Sequence, residues 1–329
     1  MPPNMIGDVS GRQCMGARSV LVTGGCGFVG RHAIPHLIER GYDVHVVAHS
    51  KGSEGYRDLS RTYSSQVRFH IVDLSDTDSI EPLVQSAKAS HLLHLAWAMP
   101  PGEFWSSLGN LDWIVFTKIL VKSFIENGGS RIVGAGTAAE YDWESGDEIF
   151  VEDTTPLVPS TFFGQAKLAA RRSLFALAEQ HSVSAAWGRL FFLFGPHESP
   201  DRLVTSAVRK LLRGEQVIAH SARQVRDIAC VDDVASAFVS LLDSDVRGDL
   251  NLASGEARSV GSILSTIAAQ LGCPDGIKSL PAHEEAAGPK RIVASVEKVR
   301  RELPLQPWRS FEDRLADTIK WNRAVLRKK

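Results

Sequence analysis

Residues 18–41 read RSVLVTGGCGFVGRHAIPHLIERG: an apolar run, a glycine-rich turn and an amphipathic helical pattern. The glycines follow the spacing Gly24-x-x-Gly27-x-x-Gly30, directly after the strand pattern of residues 18–23. In this setting glycines permit a tight turn and let the backbone approach a pyrophosphate, which the free N–H groups of the helix N-terminus bind. The stretch predicts a strand–turn–helix unit that binds a dinucleotide, with a glycine-rich turn that has no ligand as the alternative.

Alternation of strand and helix patterns continues to about residue 195. Such alternation is typical of βαβ units, which form a parallel sheet covered by helices on both faces. We therefore predict an α/β fold with a doubly wound parallel (Rossmann) sheet. The strand-like runs cover 44–48, 67–72, 91–96, 131–135 and about 184–192, and the helical stretches cover 77–88, 105–127 and 163–180.

The rhythm changes after Gly195, where short helical patterns alternate with small strands and Gly/Pro turns. Residues 196–329 are predicted to form a smaller α/β substrate-binding lobe packed on a dinucleotide-binding domain of residues 18–195. Residues 1–17 are predicted to be a disordered N-terminal extension. The helical patterns of this lobe cover 201–213, 231–243, 259–271 and 311–325.

Composition excludes several classes of protein. Among 329 residues, 37 Lys and Arg balance 38 Asp and Glu, so no global field favours nucleic acid or an anionic membrane. The four cysteines form no CxxC pair, and no apolar run reaches the roughly 18 residues of a membrane span. The first 17 residues lack a basic start followed by an apolar core. We expect a cytoplasmic protein that binds neither nucleic acid nor membranes.

Eleven histidines raise the question of a metal site. His91 and His94 are three residues apart on a predicted strand, so their side chains point to opposite faces and cannot chelate one ion. No HExxH motif occurs. We expect no bound metal.

The end of the second strand pattern bears on the choice between NAD and NADP. NAD sites usually place an acid there to bond the ribose hydroxyls, but residues 48–53, AHSKGS, contain none. Ser50 and Lys51 are suited to a 2′-phosphate, so we expect NADP rather than NAD. Asp73, after the third strand pattern, is a candidate for contact with adenine or a turn-forming residue.

Six sequence motifs follow one another along the chain. They are TGGCGFVG at 23–30, HLLHLAW at 91–97, GAGTAAEYDW at 134–143, PSTFFGQAKLA at 159–169, RLFFLFGP at 189–196 and RQVRDIACVDDVASAF at 223–238. With these motifs the chain resembles the extended short-chain dehydrogenase/reductases that act on nucleotide sugars, the NAD-dependent epimerase/dehydratase family, from residue 18 to about 325. The resemblance implies a Rossmann fold, an NAD(P) cofactor and a nucleotide-diphosphate sugar as substrate.

In that family a Ser or Thr and a Tyr-x-x-x-Lys pair on one helix carry the chemistry. The ammonium lowers the pKa of the phenol, which then exchanges a proton with the substrate. Thr137 matches the hydroxyl residue and Lys167 the lysine, but Phe163 occupies the tyrosine position. Three explanations remain open: a Phe introduced in place of Tyr to trap substrate, another donor (Tyr141, Glu140 or a water on Lys167), or a protein that binds ligands without turnover.

Two alanines bear on the type of reaction. Family members that eliminate water carry an Asp–Glu pair directly after the catalytic Thr, whereas this chain has Ala138 and Ala139. A 4,6-dehydratase is thereby disfavoured. We expect an NADPH-dependent 4-ketoreductase of a nucleotide-linked deoxysugar, with a nucleotide-sugar 4-epimerase and a catalytically silent NAD(P)-binding paralogue as alternatives.

The resemblance also assigns substrate contacts. Arg202 and Arg226 match basic positions that face the nucleotide diphosphate in similar proteins, and a guanidinium binds phosphate oxygens bidentately. The structural alternatives are a salt bridge at a helix start for Arg202 and pairing with Asp227 or Asp232 for Arg226.

Two aromatic residues add detail to the substrate prediction. Phe192 stands where many relatives have an Asn that bonds the diphosphate, and Trp97 lines either the sugar pocket or the core. The substrate residues are thus Trp97, Thr137, Arg202 and Arg226. The residues expected to bind the cofactor are Gly24, Gly27, Phe28, Val29, Gly30, His49, Ser50, Lys51, Asp73, Leu74, Leu95, Ala96 and Lys167.

Apolar stripes run along two of the long helical patterns. Relatives dimerise by pairing the corresponding helices into a four-helix bundle, so we expect a homodimer. The alternative is that both stripes simply cover the sheet. The stripes contain Leu111, Ile114, Val115 and Ile119 in one pattern, and Leu168, Leu174 and Leu177 in the other.

Overall fold

The computed structural model describes residues 18–99, 102–284 and 286–327, so the prediction for residues 1–17 lies outside the described residues. The strands are β1 (Ser19–Thr23), β2 (Asp43–Ala48), β3 (Val67–Ile71), β4 (His91–His94), β5 (Arg131–Thr137), β6 (Ser184–Leu190), β7 (Phe192–Phe194), β8 (Val217–Ala219), β9 (Val225–Cys230), β10 (Gly248–Leu252), β11 (Ala257–Ser259), β12 (Ile277–Ser279) and β13 (Arg291–Ile292). The α-helices are α1 (Phe28–Glu39), α2 (Glu54–Tyr63), α3 (Ile80–Ala87), α4 (Gly109–Glu126), α5 (Phe162–Gln180), α6 (Leu203–Leu212), α7 (Val231–Asp243), α8 (Val260–Leu271), α9 (Glu297–Glu302) and α10 (Phe311–Leu326).

A seven-stranded sheet organises the molecule, in the order β3-β2-β1-β4-β5-β6-β10. Every neighbouring pair in it is parallel. The chain winds outward from β1 in one direction and from β4 in the other, and such a reversal opens a ligand crevice at the carboxyl ends of the two strands. The predicted doubly wound α/β fold is confirmed, and the glycine turn after β1 lies at this crevice.

The C-terminal part of the chain builds a second sheet around β9, which pairs with β7, β11 and β13. It also returns β10 to the central sheet beside β6. Buried residues of both parts, such as Val20 and Val46 of the first and Leu250 and Ile292 of the second, lie in one hydrophobic cluster. The two parts therefore share a core, while the division at residue 195 stays a prediction.

The helix expected over 105–127 begins only at Gly109. The preceding residues Phe104 and Trp105 leave the helical path because their backbone crosses the start of α5, where the Trp105 carbonyl accepts a hydrogen bond from Phe163 N at 3.1 Å. The short helices α2 and α9 were not predicted. Within the described ranges no helix is long and apolar enough to cross a membrane.

A half-exposed charge cluster joins helices α1, α7 and α10. The Asp232 carboxylate lies 3.2 Å from His36 Nε2, 3.8 Å from His32 Nδ1 and 3.2 Å from an Arg314 nitrogen. The hydrogen bond to Asp232 raises the pKa of His36, and Glu39 on the same helix raises it further. The His36–Asp232 contact is therefore strongest when the imidazole is protonated.

Substitution His36→Gln is expected to destabilise the fold in acid and to have little effect in base. A pKa raised by folding gives stability that is complete below the ordinary histidine value near 6.5 and is lost as the pH rises through the folded value. Since the pair is partly exposed, we expect a loss of about 0.5 kcal/mol at pH 6 that vanishes by pH 9. Urea unfolding at both pH values measures the difference. His181→Gln, at an exposed position, is the control, and an equal loss at both pH values would contradict the prediction.

Candidate active site

The glycine turn after β1 has the geometry of a cofactor cradle. Gly24 has φ +71°, and a Cβ there would lie 2.6 Å from Ala96 N. A Cβ on Gly30 would lie 2.2 Å from the Gly24 carbonyl oxygen, and Gly27 N donates to the same oxygen at 2.9 Å. Because only glycine fits such a turn, the residues present suit a bound dinucleotide.

Helix α1 begins immediately after this turn, with Gly27 at its N-cap. No described side chain forms a capping hydrogen bond to this helix. The first-turn N–H groups at Phe28, Val29 and Gly30 therefore have no capping side chain as a competitor to a ligand. Free N–H groups and the positive end of the helix dipole favour a pyrophosphate. Phe28 and Val29 are half-buried beside the opening.

The residues predicted to contact the 2′-phosphate and the adenine of the cofactor follow β2 and β3. His49 and Lys51 are exposed, while Ser50 Oγ accepts a hydrogen bond from Gly52 N. Exposed Asp73 accepts from Ser75 N, which lowers the pKa of its carboxyl. Leu74 is buried beneath it.

The end of β4 closes the cofactor crevice on its other side. Leu95 N donates to the Thr23 carbonyl, and Ala96 lies against Gly24. The carboxyl ends of four adjacent strands thus carry the residues predicted for the cofactor at one edge of the sheet.

Thr137 ends β5 and begins a tight turn. Its Oγ1 accepts a hydrogen bond from Ala139 N, and its own N–H donates to Glu140 Oε1 at 2.9 Å, a reciprocal capping box. Helix α5 packs directly on this turn: a Cβ on Gly164 would lie 2.1 Å from the Ala139 carbonyl oxygen. Glycine at 164 therefore brings the start of α5, with Phe163, against the turn.

Lys167 lies one helical turn after Phe163 and is 6% exposed. Its Nζ donates to the Ala135 carbonyl at 2.9 Å and lies 4.0 Å from the centre of the Trp97 ring. Burial lowers the pKa of the amine to about 7, and the charge of Glu140 partly opposes this. The structure thus places the Lys167 amine in an apolar setting where both protonation states are accessible near neutral pH.

Aromatic rings surround Phe163. We call Trp97, Phe104, Trp105, Trp143 and Phe163 the aromatic cluster. The Phe163 ring lies edge-on to its neighbours, with centroids 5.2 Å from Phe104, 5.8 Å from Trp105 and 6.3 Å from Trp97. Phe163 is 3% exposed, so the position of the missing tyrosine is sealed by apolar groups.

Two alternative proton donors named above, Glu140 and Tyr141, are engaged in a buried network instead. The Glu140 carboxylate accepts from Thr137 N, Trp187 Nε1 and Arg189 Nε, all at 2.9 Å. The Tyr141 hydroxyl donates to Asn251 Oδ1, and burial raises its pKa. With both groups fully buried in these contacts, neither is a suitable donor, which contradicts that part of the prediction.

The two predicted phosphate-binding arginines differ in setting. Arg202 is exposed at the N-cap of α6, with its guanidinium 5.2 Å from the Phe104 ring centre. Arg226, on β9, is 9% exposed and lies 5.4 Å from the Phe192 ring centre. Among the described residues neither arginine has a carboxylate within salt-bridge distance: Arg226 donates to the Val225 carbonyl and to Gln224 Oε1, while Asp232 pairs with Arg314. Phe192 supports Arg226 through its ring face.

Two residues of the site went unrecognised in the sequence. Asn110, 2% exposed near the start of α4, accepts from Trp97 Nε1 and donates to the carbonyls of Phe104 and Ser107. Phe104 lies in the aromatic cluster. Neither has a local signal, because an Asn in a helical pattern and a Phe before it are ordinary residues there.

Glu54, Asp58 and His197 bring three potential metal-ligand atoms within 4.8 Å of one another. Arg31 lies among them, with one guanidinium nitrogen 3.8 Å from Asp58 and 4.0 Å from Glu54. The guanidinium supplies positive charge at this place, which disfavours a cation there.

Comparison with known proteins agrees with the geometry. UDP-glucuronic acid decarboxylase 1 of Xenopus tropicalis is 25% identical over 94% of this chain and 73% of its own length. The solved UDP-N-acetylglucosamine 4-epimerase of Methanobrevibacter ruminantium superposes with a TM-score of 0.84 at 22% identity, covering 94% of this chain and 100% of that one. MoeE5, solved in complex with UDP-glucose and NAD, has a TM-score of 0.78 at 26% identity, covering 94% and 99%.

The family model described as NAD dependent epimerase/dehydratase family matches residues 20–253. That span contains the glycine cradle, Thr137 and Lys167. The chain belongs to the NAD-dependent epimerase/dehydratase family, whose members are NAD(P)-dependent enzymes of the extended short-chain dehydrogenase/reductase type that act on nucleotide sugars.

Proposed function

We propose that this protein reduces a keto group on a nucleotide-linked deoxysugar with NADPH, as a 4-ketoreductase. The observation that carries the proposal is the composition of the turn on which α5 packs. Thr137 and Lys167 are retained, while buried Ala138 and Ala139 occupy the acid and base positions of an elimination. Two methyl groups cannot move protons, so hydride transfer to or from a sugar carbon remains.

A dinucleotide held by the glycine turn Gly24–Gly30 would supply or accept the hydride. Thr137 presents a hydroxyl whose oxygen already accepts from Ala139 N, which leaves its O–H free to donate to a substrate carbonyl. Lys167 supports the proton path, since its pKa of about 7 lets the amine give and regain a proton near neutrality. Trp97 covers the amine, with its ring centre 4.0 Å from Nζ, and helps to exclude bulk water from this path.

Arg202 and Arg226 are the proposed contacts of the substrate diphosphate. Arg226 is buried, which lowers its pKa to about 10 and still leaves it charged at neutral pH. Its guanidinium donates to the Val225 carbonyl and to Gln224 Oε1, and among the described residues no carboxylate neutralises its charge, which favours the binding of a phosphate. Phe192 cannot donate a hydrogen bond to the diphosphate as an Asn would. Its ring instead packs against the Arg226 guanidinium and helps to orient it.

A nucleotide-sugar 4-epimerase is the second candidate, favoured by the epimerase among the similar structures. An epimerase converts its substrate into the 4-epimer without net consumption of the dinucleotide. A catalytically silent NAD(P)-binding protein is the third, favoured by Phe163. Product analysis beside cofactor consumption distinguishes the three.

Phe163→Tyr is expected to raise turnover. A general acid within reach contributes about 10²- to 10⁴-fold, and Lys167 lies one turn away to lower the pKa of the new phenol. NADPH oxidation with a nucleotide-linked 4-keto-6-deoxysugar measures the gain, and Phe162→Tyr, at the half-buried neighbouring position, is the matched control.

Equal activity in the original chain and in Phe163→Tyr would mean that another donor operates. If both bind NADPH and neither consumes it, the reductase proposal for this substrate class is wrong.

NADP is the proposed cofactor because the residues after β2 carry Lys51 and no acid at 48–53. Lys51→Ala is expected to weaken NADPH binding about tenfold, the value of one charge-assisted hydrogen bond, and to leave NADH binding unchanged. Calorimetric titration of both cofactors tests this, with Lys278→Ala, an exposed lysine of the C-terminal part, as control. Equal losses for NADPH and NADH would contradict the 2′-phosphate assignment.

A homodimer through α4 is proposed from the exposure of its stripe. Of the predicted stripe, Leu111 and Val115 are each 49% exposed, and Leu108 just before the helix is 76% exposed, whereas Leu168 and Leu174 of α5 are buried. Part of the predicted apolar stripe on α4 is thus exposed to solvent, whereas most of the stripe on α5 is buried.

Leu111→Glu is expected to give a monomer, because it places a charge at the centre of the exposed stripe. Light scattering after size-exclusion chromatography measures the mass. Ile218→Glu, at another exposed apolar position, should leave the mass unchanged. A monomeric original chain would overturn the proposal.

A further inference from the structure

A short segment, residues 102–108, crosses the front of the candidate active site. It begins at Gly102, which has φ +77°, and turns where Ser106 N and Ser107 N both donate to the Glu103 carbonyl. At its middle the Trp105 carbonyl accepts from Phe163 N, so it satisfies an N–H group that the start of a helix otherwise leaves free. The segment is bound to the residue at the tyrosine position.

Phe104 is the side chain that this segment inserts. It is 4% exposed, and its ring lies 5.2 Å from the Phe163 ring centre on one side and 5.2 Å from the Arg202 guanidinium carbon on the other. A nucleotide-linked sugar that reacts beside Phe163 and binds Arg202 through its diphosphate has to pass through the same place. One phenyl ring therefore stands where the sugar would lie.

Asn110 fastens the segment. Its Nδ2 donates to the Phe104 carbonyl at 2.8 Å and to the Ser107 carbonyl at 2.9 Å, while its Oδ1 accepts from Trp97 Nε1 at 2.8 Å. One buried amide thus joins both ends of the turn to Trp97, the residue that covers Lys167. Releasing the segment requires these two donated bonds and the bond from Phe163 N to the Trp105 carbonyl to break.

We propose that residues 102–108 form a lid latched by Asn110, and that a substrate's ring has to take the place of Phe104 beside Phe163. The sugar in that place rests on the proposed function; the lid and its latch rest on the contacts above.

The walls left after Phe104 departs indicate which rings fit. They include Phe163, Ala139, Trp97 and Trp143. The Trp97 indole N–H already donates to Asn110 Oδ1, and the Trp143 indole N–H donates to the Ala138 carbonyl. Hydroxyl groups facing these walls would go unpaired, and a site discriminates strongly against groups that it cannot pair. The lid site accordingly selects rings that are poor in hydroxyls, such as deoxysugars.

Asn110→Asp tests the latch with little change of shape. A carboxylate still accepts from Trp97 but cannot donate to the two carbonyls. Amide hydrogen exchange of the ligand-free protein should become about tenfold faster or more over 102–110, in line with the loss of two hydrogen bonds. Asn127→Asp is the matched control: Asn127 Nδ2 also donates to a backbone carbonyl, that of Ser123, at the far end of α4.

Phe104→Ala tests directly whether the Phe104 ring occupies the place of the substrate ring. This variant remains informative if Asn110→Asp does not fold. Binding of UDP-glucose and of UDP-linked 4-keto-6-deoxyglucose, which share one base, is measured calorimetrically. Removing a competing ring raises the fraction of binding-competent protein, so we expect both variants to bind the deoxysugar about fivefold more tightly or better. We expect UDP-glucose to bind more weakly than the deoxysugar throughout.

Unchanged exchange over 102–110 in folded Asn110→Asp would overturn the lid. Equal affinities of the original chain and both variants for a sugar that binds would overturn it too, and would leave the proposed function intact. Faster exchange in the variants without binding of either sugar would support the lid and show that the substrate is not a UDP-linked sugar of this kind.

Discussion

The buried ion pair between Glu140 and Arg189 is the constraint on which the arrangement of the site depends. Both side chains are fully buried, and the carboxylate oxygen lies 2.9 Å from Arg189 Nε. Glu140 also fixes the backbone of Thr137, and Arg189 reaches Asp249 of β10 at 3.1 Å. Leaving one of two such charges unpaired costs about 3–5 kcal/mol. The position of Thr137 is therefore tied to the seventh strand of the sheet, which comes from the C-terminal part of the chain.

This network also determines which groups remain for chemistry. It engages Glu140 and Tyr141 completely, and Gly136 lets it form, since a Cβ there would lie 2.1 Å from Trp187 Nε1. Lys167 stays outside the network and donates a hydrogen bond to the Ala135 carbonyl. Among the described residues no carboxylate forms a salt bridge with this buried amine, although the charge of Glu140 acts on it, and its pKa of about 7 makes both protonation states accessible near neutrality. The fold thus keeps Glu140 in a structural network and leaves Lys167, the residue that we propose for proton transfer, outside it.

The sequence allowed the cofactor side of the molecule to be predicted because its signals are local. Gly24, Gly27 and Gly30 are needed by one turn, and the strand and helix patterns on either side are periodic over a few residues. The resemblance to a family supplied Thr137 and Lys167 by motif position. The residues around them were out of reach: the cover of Trp97 over Lys167 and the latch at Asn110 come from contacts between segments distant in sequence.

The expected helix start at residue 105 shows the same limit. Apolar spacing in 105–127 is helical throughout, yet Phe104 is buried against Phe163 and the Trp105 carbonyl accepts from Phe163 N, so the helix begins only at Gly109. Tertiary packing of aromatic rings outweighs propensity when the rings become buried. The same contacts account for the fit of Phe at position 163, because aromatic rings of Trp97, Phe104 and Trp105 pack edge-on against it. The absence of a phenol at position 163 and the packing of aromatic rings around Phe163 are thus two aspects of one arrangement.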